Sequence, residues 1–422
     1  MPKRRHLTYF IVLVFFVALV LIPMAIDADV EIPKIKVGPW IITGEKTYTD
    51  RTIILNGDLT IKSGGKLTLD RVVLKINSPQ DGDTSYADLA HSITVEKGGE
   101  LYAYNSTITK GELKGRYTFK VYGKMAVYDS DISYMGGGAT VVYRQGMTLY
   151  TPVGGIQIYS SDVSIVNSDI NNGITTGIYC ESSSPQITGN KVSKNKWGIS
   201  CGSSQAVIEG NIISDNECGI DSWMVDAPNA LRSKLTIRNN IIRDNWVGFS
   251  SRSSDDTITS STIERSKFSD VEIYWTNLIM LNTTFDKQKT VVDRDSLLTV
   301  EWFLNLYVLN EAGIPVNGAK VTIIDNLSNM QTYITDSNGQ IKNIACVDYT
   351  QTPTNKTNYN PHTIRVGNNN LKIYITASQD LTIPSKSGGV SEKIAFVLIA
   401  PLILSSISIA SLKKLTSYRK NG

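Results

Sequence analysis

Two aspartates, Asp215 and Asp244, stand at equivalent places in a repeated segment of the chain. Each follows a short apolar stretch and precedes an asparagine, so stacked repeats would bring the two carboxylates together at a turn. Paired carboxylates can act as acid and base on a glycosidic bond or bind calcium. Asp-Asn is equally ordinary turn chemistry. The pair is thus the candidate catalytic site, with a plain turn as the alternative.

A second set of side chains suited to carbohydrate lies in the same repeats. Some precede the repeat glycines by two residues and others follow them by two, which are positions predicted to face outward, and Trp223 begins a loop beside this face. An exposed indole stacks on the apolar face of a sugar, while charged groups bind hydroxyls. The alternative is that the loop after Trp223 covers Trp246. The predicted ligand contacts are Trp246, Lys196, Glu217, Tyr179, Asp221 and Trp223.

These residues are positioned by an internal repeat. The segment GIYCESSSPQITGNKVSKN from Gly177 returns 21 residues later as GISCGSSQAVIEGNIISDN from Gly198, and again from Gly219. Apolar residues alternate within each copy, which is typical of a strand with one buried face. A coil of 21 to 24 residues per turn, with longer loops inserted three times, therefore continues through nine apolar anchors: Leu74, Ile108, Ile132, Ile170, Val192, Ile213, Ile242, Ile263 and Phe285.

Small polar residues form two further columns. One lies two residues before the anchors and includes Asn190, Asn211 and Asn240; the other contains Asn195, Asn216 and Asn245. Stacked strands would place successive members about 4.8 Å apart, where asparagine side chains hydrogen-bond along the stack.

Strict alternation assigns to the core the residues one before, one after and three after the glycines. This predicts Trp197 as a packing residue. Cys180 and Cys201 occupy equivalent core places on neighbouring turns. The alternatives for them are a disulfide and a stack of two buried thiols.

The repeat resembles the right-handed parallel β-helix of the pectin-lyase-like superfamily, which includes NosD-like proteins. The resemblance covers about residues 50–290 and implies the fold but no particular reaction, because one fold hosts many functions. The extended catalytic motifs of pectin-degrading families are absent from the sequence. The coil is assigned to residues 29–297.

Residues 298–378 have a different sequence pattern, in which segments of alternating apolar and polar residues, typical of strands, are separated by turns. Gly313–Val316, Gly318–Ala319 and Thr335–Gly339 resemble the carboxypeptidase-regulatory-like domains of surface proteins. That resemblance implies a small β-sandwich serving as a spacer or stalk. Residues 379–393 then form a linker rich in Ser, Gly and Pro.

The two ends suggest a membrane protein. Residues 1–28 contain basic residues followed by an apolar run, and are assigned as a signal peptide or N-terminal anchor. Residues 394–412 are uncharged and precede a basic tail at 413–422, which predicts a transmembrane helix with a cytoplasmic tail. The exported body carries glycosylation sequons at Asn105, Asn282, Asn326 and Asn355. The predicted fold is all-β with terminal transmembrane helices.

Composition excludes several functions. The chain has 422 residues and a net charge of +3, and its body shows no basic patch of the kind that binds nucleic acid. The three histidines are far apart in sequence, so no metal site and no cofactor is predicted.

We expect a membrane-anchored protein of the cell surface. Its β-helix would have a binding or scaffolding role, with glycans or envelope polymers as the partners. The alternatives are a polysaccharide lyase or hydrolase on the same fold, and a purely structural envelope component. The residues do not decide whether the chain is an enzyme.

Overall fold

The computed structural model describes residues 34–79, 90–113, 115–144 and 147–384. Side-chain statements exclude residues 34–36 and 137–152. The predicted segments at 1–28 and 394–412 lie outside the described residues. Within the described part of the chain, no helix is long and apolar enough to cross a membrane.

The first part of the described chain is built from short strands in regular succession. In chain order they are β1 Lys34–Val37, β2 Trp40–Ile42, β3 Glu45–Leu55, β4 Leu59–Ile61, β5 Lys66–Ile76, β6 Ser92–Val95, β7 Glu100–Tyr104, β8 Thr107–Lys110, β9 Thr118–Val121, β10 Lys124–Tyr128, β11 Asp131–Ser133, β12 Gly137–Arg144, β13 Met147–Gly154, β14 Ile156–Ile158, β15 Val163–Val166, β16 Asp169–Asn171, β17 Thr176–Glu181, β18 Gln186–Thr188, β19 Lys191–Ser193, β20 Trp197–Gly202, β21 Val207–Glu209, β22 Ile212–Ser214, β23 Cys218–Trp223, β24 Thr236–Arg238, β25 Ile241–Arg243, β26 Val247–Arg252, β27 Asp255–Thr259, β28 Thr262–Glu264, β29 Ser269–Tyr274, β30 Asn277–Leu281 and β31 Thr290–Asp293. A single 3-10 turn, Lys287–Lys289, precedes β31.

These strands form three parallel stacks around a shared core. Stack 1 contains β7, β10, β15, β18, β21, β24, β27 and β30; stack 2 contains β8, β11, β16, β19, β22, β25 and β28. Stack 3 runs β2-β4-β6-β9-β14-β17-β20-β23-β26-β29-β31. The long strand β5 pairs with both β7 and β8, so it serves stacks 1 and 2 together. Among the described coil strands, only the hairpin β12–β13 pairs in antiparallel fashion and lies outside the three parallel stacks.

The predicted anchors are confirmed as a single buried column. Leu74 pairs in register with Ile108, and the column continues rung by rung through Ile213, Ile242 and Ile263. All of these anchors are essentially inaccessible to water. Burying one large aliphatic side chain contributes about 1.5–3 kcal/mol, so the column is a main source of the coil's stability.

The predicted polar ladders are also confirmed. The backbone N–H of Asn190 donates to Asn211 Oδ1 at 2.8 Å, and that of Asn211 donates to Asn240 Oδ1 at 2.9 Å. The second ladder is similar, with Asn195 donating to Asn216 Oδ1. Each ladder satisfies backbone donors at a corner of the coil, where the strands themselves do not pair.

The assignment of Trp197 to the core is wrong. A Cβ on Gly198 would meet the Ile213 side chain at 3.0 Å and Asn216 Nδ2 at 3.1 Å, so the glycine position faces inward. Ile199 is also in the core. Alternation therefore breaks at the glycine, and the preceding position turns outward: Trp197 is half-buried, with the Lys196 ammonium 5.0 Å from its ring. Only glycine fits here, because the carbonyl of the next rung lies 2.6 Å from the added atom.

The remaining described strands are β32 Leu297–Leu309, β33 Lys320–Ile324, β34 Met330–Ile334, β35 Gln340–Gln351, β36 Lys356–Asn358, β37 His362–Val366, β38 Asn369–Ile373 and β39 Gln379–Pro384. Strand β32 pairs with the last strand of stack 1, β30, and also with β35 and β39. It runs across the predicted boundary at residue 297, so the coil passes into the C-terminal region through a shared strand and that region closes this end of the coil.

A separate four-stranded sheet, in the order β34-β33-β37-β38, completes the C-terminal region. Its apolar side chains belong to the same buried cluster as those of β32 and β35. The region is therefore all-β. Its assignment as a carboxypeptidase-regulatory-like β-sandwich stays a prediction.

Candidate functional site

An open groove runs along the corner of the coil between stacks 2 and 3. Its volume is about 720 Å³. Equivalent residues of five successive rungs line it, so it extends about 19 Å along the coil at 4.8 Å per rung. The lining residues are Gly173, Ile174, Lys194, Asn195, Lys196, Asp215, Asn216, Glu217, Asp244, Trp246 and Lys267.

The backbone of this corner turns the charged side chains outward. Lys194, Asp215 and Asp244 have φ between 58° and 59°, a left-handed conformation that aspartate tolerates better than most residues. The next residue on each rung is a buried ladder asparagine, such as Asn216, whose side chain is fixed by hydrogen bonds. The polar ladder therefore fixes the corner, and the groove residues stand on a rigid base.

Two aromatic rings stand beside each other at one end of the groove. Trp246 is 54% exposed and Phe268, on the next rung, is 60% exposed. Their centroids lie 6.1 Å apart and their planes differ by 4°. Trp246 is therefore not covered by the loop that follows Trp223. Paired exposed rings form an apolar platform of the kind that binding sites use.

Charged groups of both signs flank this platform. Lys196, Glu217 and Lys267 are exposed, and none forms an ion pair with a residue whose side chain the structure describes. Their hydrogen-bonding capacity is therefore available to a bound molecule.

The two aspartates of the groove differ in their surroundings. The Arg265 guanidinium donates to both oxygens of Asp244, at 2.8 and 2.9 Å, and this hydrogen bonding lowers the pKa of that carboxyl. Asp215 is exposed and accepts a hydrogen bond from the Ser214 hydroxyl at 2.8 Å. Asp244 is thus held ionised, which suits it poorly to donate a proton. Asp215 retains free lone pairs.

Elsewhere on the coil, two carboxylates on neighbouring rungs are bridged by a shared hydrogen-bond donor. Asp131 and Asp169 also occupy successive rungs, but the Asn171 amide donates to both, at 3.3 and 2.9 Å. No described side chain bridges Asp215 and Asp244 in this way. Arg265 compensates Asp244 alone and the Ser214 hydroxyl bonds Asp215 alone, so no donor is shared between the two groove carboxylates.

Three of the predicted contact residues do not reach the groove. Tyr179 and Asp221 lie on the outer face of stack 3, as predicted, and Trp223 ends a strand on the same face, but all three are buried rather than available to a partner. Trp223 Nε1 donates to Ser200 Oγ at 3.1 Å. Burial is the main cause that raises the pKa of the Tyr179 hydroxyl, which donates to Glu181 at 2.5 Å.

The buried aspartate of this face is held by an arginine. Asp221 is almost inaccessible, and Arg252 approaches both of its oxygens at 3.3 Å. Ser200 Oγ also donates to Asp221 at 3.3 Å. The predicted set is thus divided: Trp246, Lys196 and Glu217 share the groove, while these three residues form a covering layer over stack 3.

The cysteine pair is not a disulfide. Cys180 and Cys201 are both free and fully buried in the core. A hydrogen bond from the Cys201 thiol to Cys180, followed by burial, raises the pKa of the Cys201 thiol. The alternative of two stacked buried thiols is the one observed, since paired parallel strands direct equivalent side chains side by side.

Sequence reasoning missed Phe268, Lys194 and Lys267. Phe268 follows Trp246 by 22 residues, which is the repeat length, but its rung has Asp270 where the earlier rungs have glycine. The glycine column ends at Gly248, one rung before Phe268, and therefore does not identify this ring. The repeat length alone would have found this ring.

The four sequons occupy different environments. Asn105, Asn326 and Asn355 are exposed. Asn282 is half-buried, and its amide donates to Ser260 and accepts from Ser378 at 2.7 Å. Glycosylation at these positions stays a prediction. Among the described residues, no three His, Cys, Asp or Glu side chains are placed to hold a metal ion.

Comparison with known proteins supports the architecture. A family model described as a right-handed beta helix region matches residues 84–231. No curated protein sequence matches the chain.

Among solved structures, the periplasmic alginate epimerase AlgG is 13% identical with a TM-score of 0.27, covering 60% of this chain and 78% of that one. A single-substitution mutant of AlgG is 12% identical with a TM-score of 0.30 and the same coverage. Nothing about the activity of this chain follows from such distant likeness. The family match and the three parallel stacks together show that the chain contains a right-handed parallel β-helix.

Proposed function

We propose that this β-helix is a binding module that holds a glycan or another envelope polymer in the groove at Trp246. The observation that carries the proposal is the pair of parallel, exposed rings of Trp246 and Phe268, which lie beside charged groups without ion-pair partners in the described chain. An aromatic platform binds the apolar face of a sugar ring, and flanking charges bind its hydroxyl or carboxylate groups.

The shape of the groove favours a polymer over a small molecule. It is open along its length, and its lining residues repeat rung by rung. A small-molecule site is usually concave and encloses most of its ligand. A long, shallow surface with one aromatic platform is better matched to a chain that lies along the coil.

Binding measurements on the folded protein test this proposal. We expect a glycan array to identify a ligand, and Trp246→Ala to weaken its binding with an unchanged melting temperature. Tyr374→Ala is the matched control, because Tyr374 is 61% exposed but lies in the C-terminal region. An array without ligands, or equal binding by Trp246→Ala, would contradict the proposal and favour a purely structural role.

A lyase or hydrolase is the second candidate, and Asp215 is the observation that favours it. This carboxylate is exposed in the groove, lacks a cation partner among the described side chains, and lies one rung from Asp244. Incubation with acidic polysaccharides would then generate reducing or unsaturated ends. Loss of those products in Asp215→Ala, with folding intact, would support catalysis; absence of products from the wild type would exclude it.

We further propose that the module is displayed at the cell surface by a membrane anchor. This rests on the sequence, in which the apolar segment at 394–412 precedes the basic tail at 413–422. Protease treatment of intact cells would release the β-helix and leave the tail protected. Protection of the β-helix in intact cells would contradict the proposal.

A further inference from the structure

A buried carboxylate joins the end of the coil to the C-terminal region. Asp348, in β35, is almost fully buried and accepts three hydrogen bonds. Lys287 Nζ, from the 3-10 turn of the coil, lies 2.9 Å from its Oδ2, and Trp302 Nε1 lies 3.3 Å from the same atom. Asn360 Nδ2 donates to Oδ1 at 2.8 Å. One carboxylate therefore separates a lysine amine from an asparagine amide.

The amide of Asn360 is held in one orientation. Its Oδ1 accepts the Ile375 N–H at 2.7 Å and lies 3.2 Å from His362 Nδ1, while its Nδ2 also donates to the Ile375 carbonyl at 3.2 Å. Donors on a carbonyl oxygen stabilise the negative charge that develops there when a nucleophile adds to the carbon. Burial lowers the pKa of His362, so its ring is neutral at pH 7.

We propose that this cluster is an autocatalytic modification site, at which Lys287 forms an intramolecular isopeptide bond with Asn360. The lysine Nζ adds to Cγ of the Asn360 amide, a C–N bond forms, and the original Cγ–Nδ2 bond breaks. The products are a secondary amide between the two side chains and one ammonia. No oxidant, metal or other reactant is required.

Asp348 carries the protons in this reaction. Its Oδ2 accepts a proton from the Lys287 ammonium, which frees the nitrogen lone pair for attack. Its Oδ1, which accepts a hydrogen bond from Nδ2, directs that proton to the departing nitrogen, so the carboxylate is regenerated. The attacking nitrogen is cationic after addition and loses a second proton to the departing ammonia, which leaves as ammonium. The Ile375 N–H, together with the His362 Nδ1–H when that nitrogen carries the proton, stabilises the intermediate oxyanion.

The surroundings suit this chemistry. Asp348 and Asn360 are each about 5% exposed, so water competes weakly with the amine. The Lys287 side chain is 39% exposed and its ammonium lies 5.1 Å from the centre of the Tyr349 ring, which limits its freedom. Two groups that share one fixed carboxylate react as an intramolecular pair, where effective concentrations are high. The bond would tie the coil covalently to the region that closes its end.

Intact mass spectrometry of the full chain tests the proposal. Wild type and Lys287→Arg are compared after identical expression, so any processing of the ends cancels in the difference. We expect the wild type to be one ammonia lighter than the residue exchange accounts for, and fragmentation of a digest to identify a peptide pair joined through Lys287 and Asn360. Asn360→Ala and Asp348→Asn should both lack the link.

Lys356→Arg is the matched control. Lys356 also lies against the Tyr349 ring, with its ammonium 3.5 Å from the centre, but Asp348 accepts no hydrogen bond from it. This variant should keep the link. A wild type with the full unmodified mass would overturn the proposal, and so would a loss of one water, which would indicate condensation with Asp348 itself. Lys287→Arg keeps a cation beside Asp348, so a folding defect does not obscure the result.

Discussion

Trp223 and Trp246 both point away from the core of the coil, yet only one of them is accessible. Trp223 is 9% exposed, because its ring lies flat over Gly202, where an added Cβ would be 2.5 Å from the ring. Trp246 stands at the corner and is 54% exposed. The broad face of stack 3 is covered by its own side chains, whereas the corner is not. An outward position on a β-helix therefore indicates an accessible residue only where no neighbouring rung supplies a cover.

Replacing each of the two tryptophans by alanine should give the largest difference in the free energy of unfolding. We expect Trp223→Ala to lower the free energy of unfolding by about 3–5 kcal/mol, because it removes a buried ring and the hydrogen bond to Ser200. Trp246→Ala should change it by less than about 0.5 kcal/mol. Denaturant unfolding of both variants measures the difference. Equal losses would show that Trp246 is a packing residue and would remove the distinction.

The rigid base of the corner predicts a smaller loss. Asn211→Ala leaves the Asn190 N–H without its acceptor and removes the bond from Nδ2 to the Ile187 carbonyl. We expect a loss of about 2–3 kcal/mol in unfolding free energy. Asn277→Ala is the control, because Asn277 is exposed and donates to Asp255 at 2.9 Å. A loss below about 0.5 kcal/mol for both would mean that the ladder does not stabilise the corner.

A buried carboxyl in the core of the coil, that of Asp256, predicts that the stability of the protein depends on pH. Burial raises the pKa of Asp256 to about 6, while hydrogen bonds from Leu235 N–H and Ser251 Oγ oppose the rise. The folded protein then binds this proton more tightly than the unfolded chain, so stability falls as pH rises from about 4 to about 6. The shift corresponds to about 2–3 kcal/mol.

Asp256→Asn should remove this dependence, which chemical unfolding across the pH range would show. The mutant amide can still accept the Leu235 N–H and donate to the Ser251 hydroxyl. An unchanged pH slope in Asp256→Asn would show that another group titrates in this window.

The smallest effect concerns the groove carboxylates. Asp215→Asn relieves the repulsion from Asp244 and should raise the unfolding free energy by about 0.2–0.5 kcal/mol at low salt, with the gain lost at high salt. Asp244→Asn should lower it slightly, because the Arg265 pair is weakened. A stability loss in Asp215→Asn would indicate that this carboxylate has a structural partner.

Much of the coil follows from the sequence. The anchor column at Ile213, Ile242 and Ile263 and the ladder at Asn211 and Asn240 were both predictable, because a stacked repeat places equivalent residues in contact. The break in alternation was not, since it depends on how closely the backbones of adjacent rungs approach at Gly198.

The candidate site was only partly predictable. The repeat brings Lys196, Glu217 and Trp246 to one column, and the structure places all three in the groove. The burial of Trp223 depends on the absent side chain at Gly202, which comes from a different rung. Exposure is thus a property of neighbouring rungs, and a pattern within one repeat does not determine it.

The central claim is that the corner at Trp246 is the binding surface of the coil. Titration of an array-identified glycan into wild type and Trp246→Ala, by calorimetry at matched protein concentration, tests it most directly. We predict that the variant binds about tenfold more weakly or worse, a loss of about 1.4 kcal/mol or more, while Tyr374→Ala binds as the wild type does. Equal affinity of Trp246→Ala and wild type would contradict the claim.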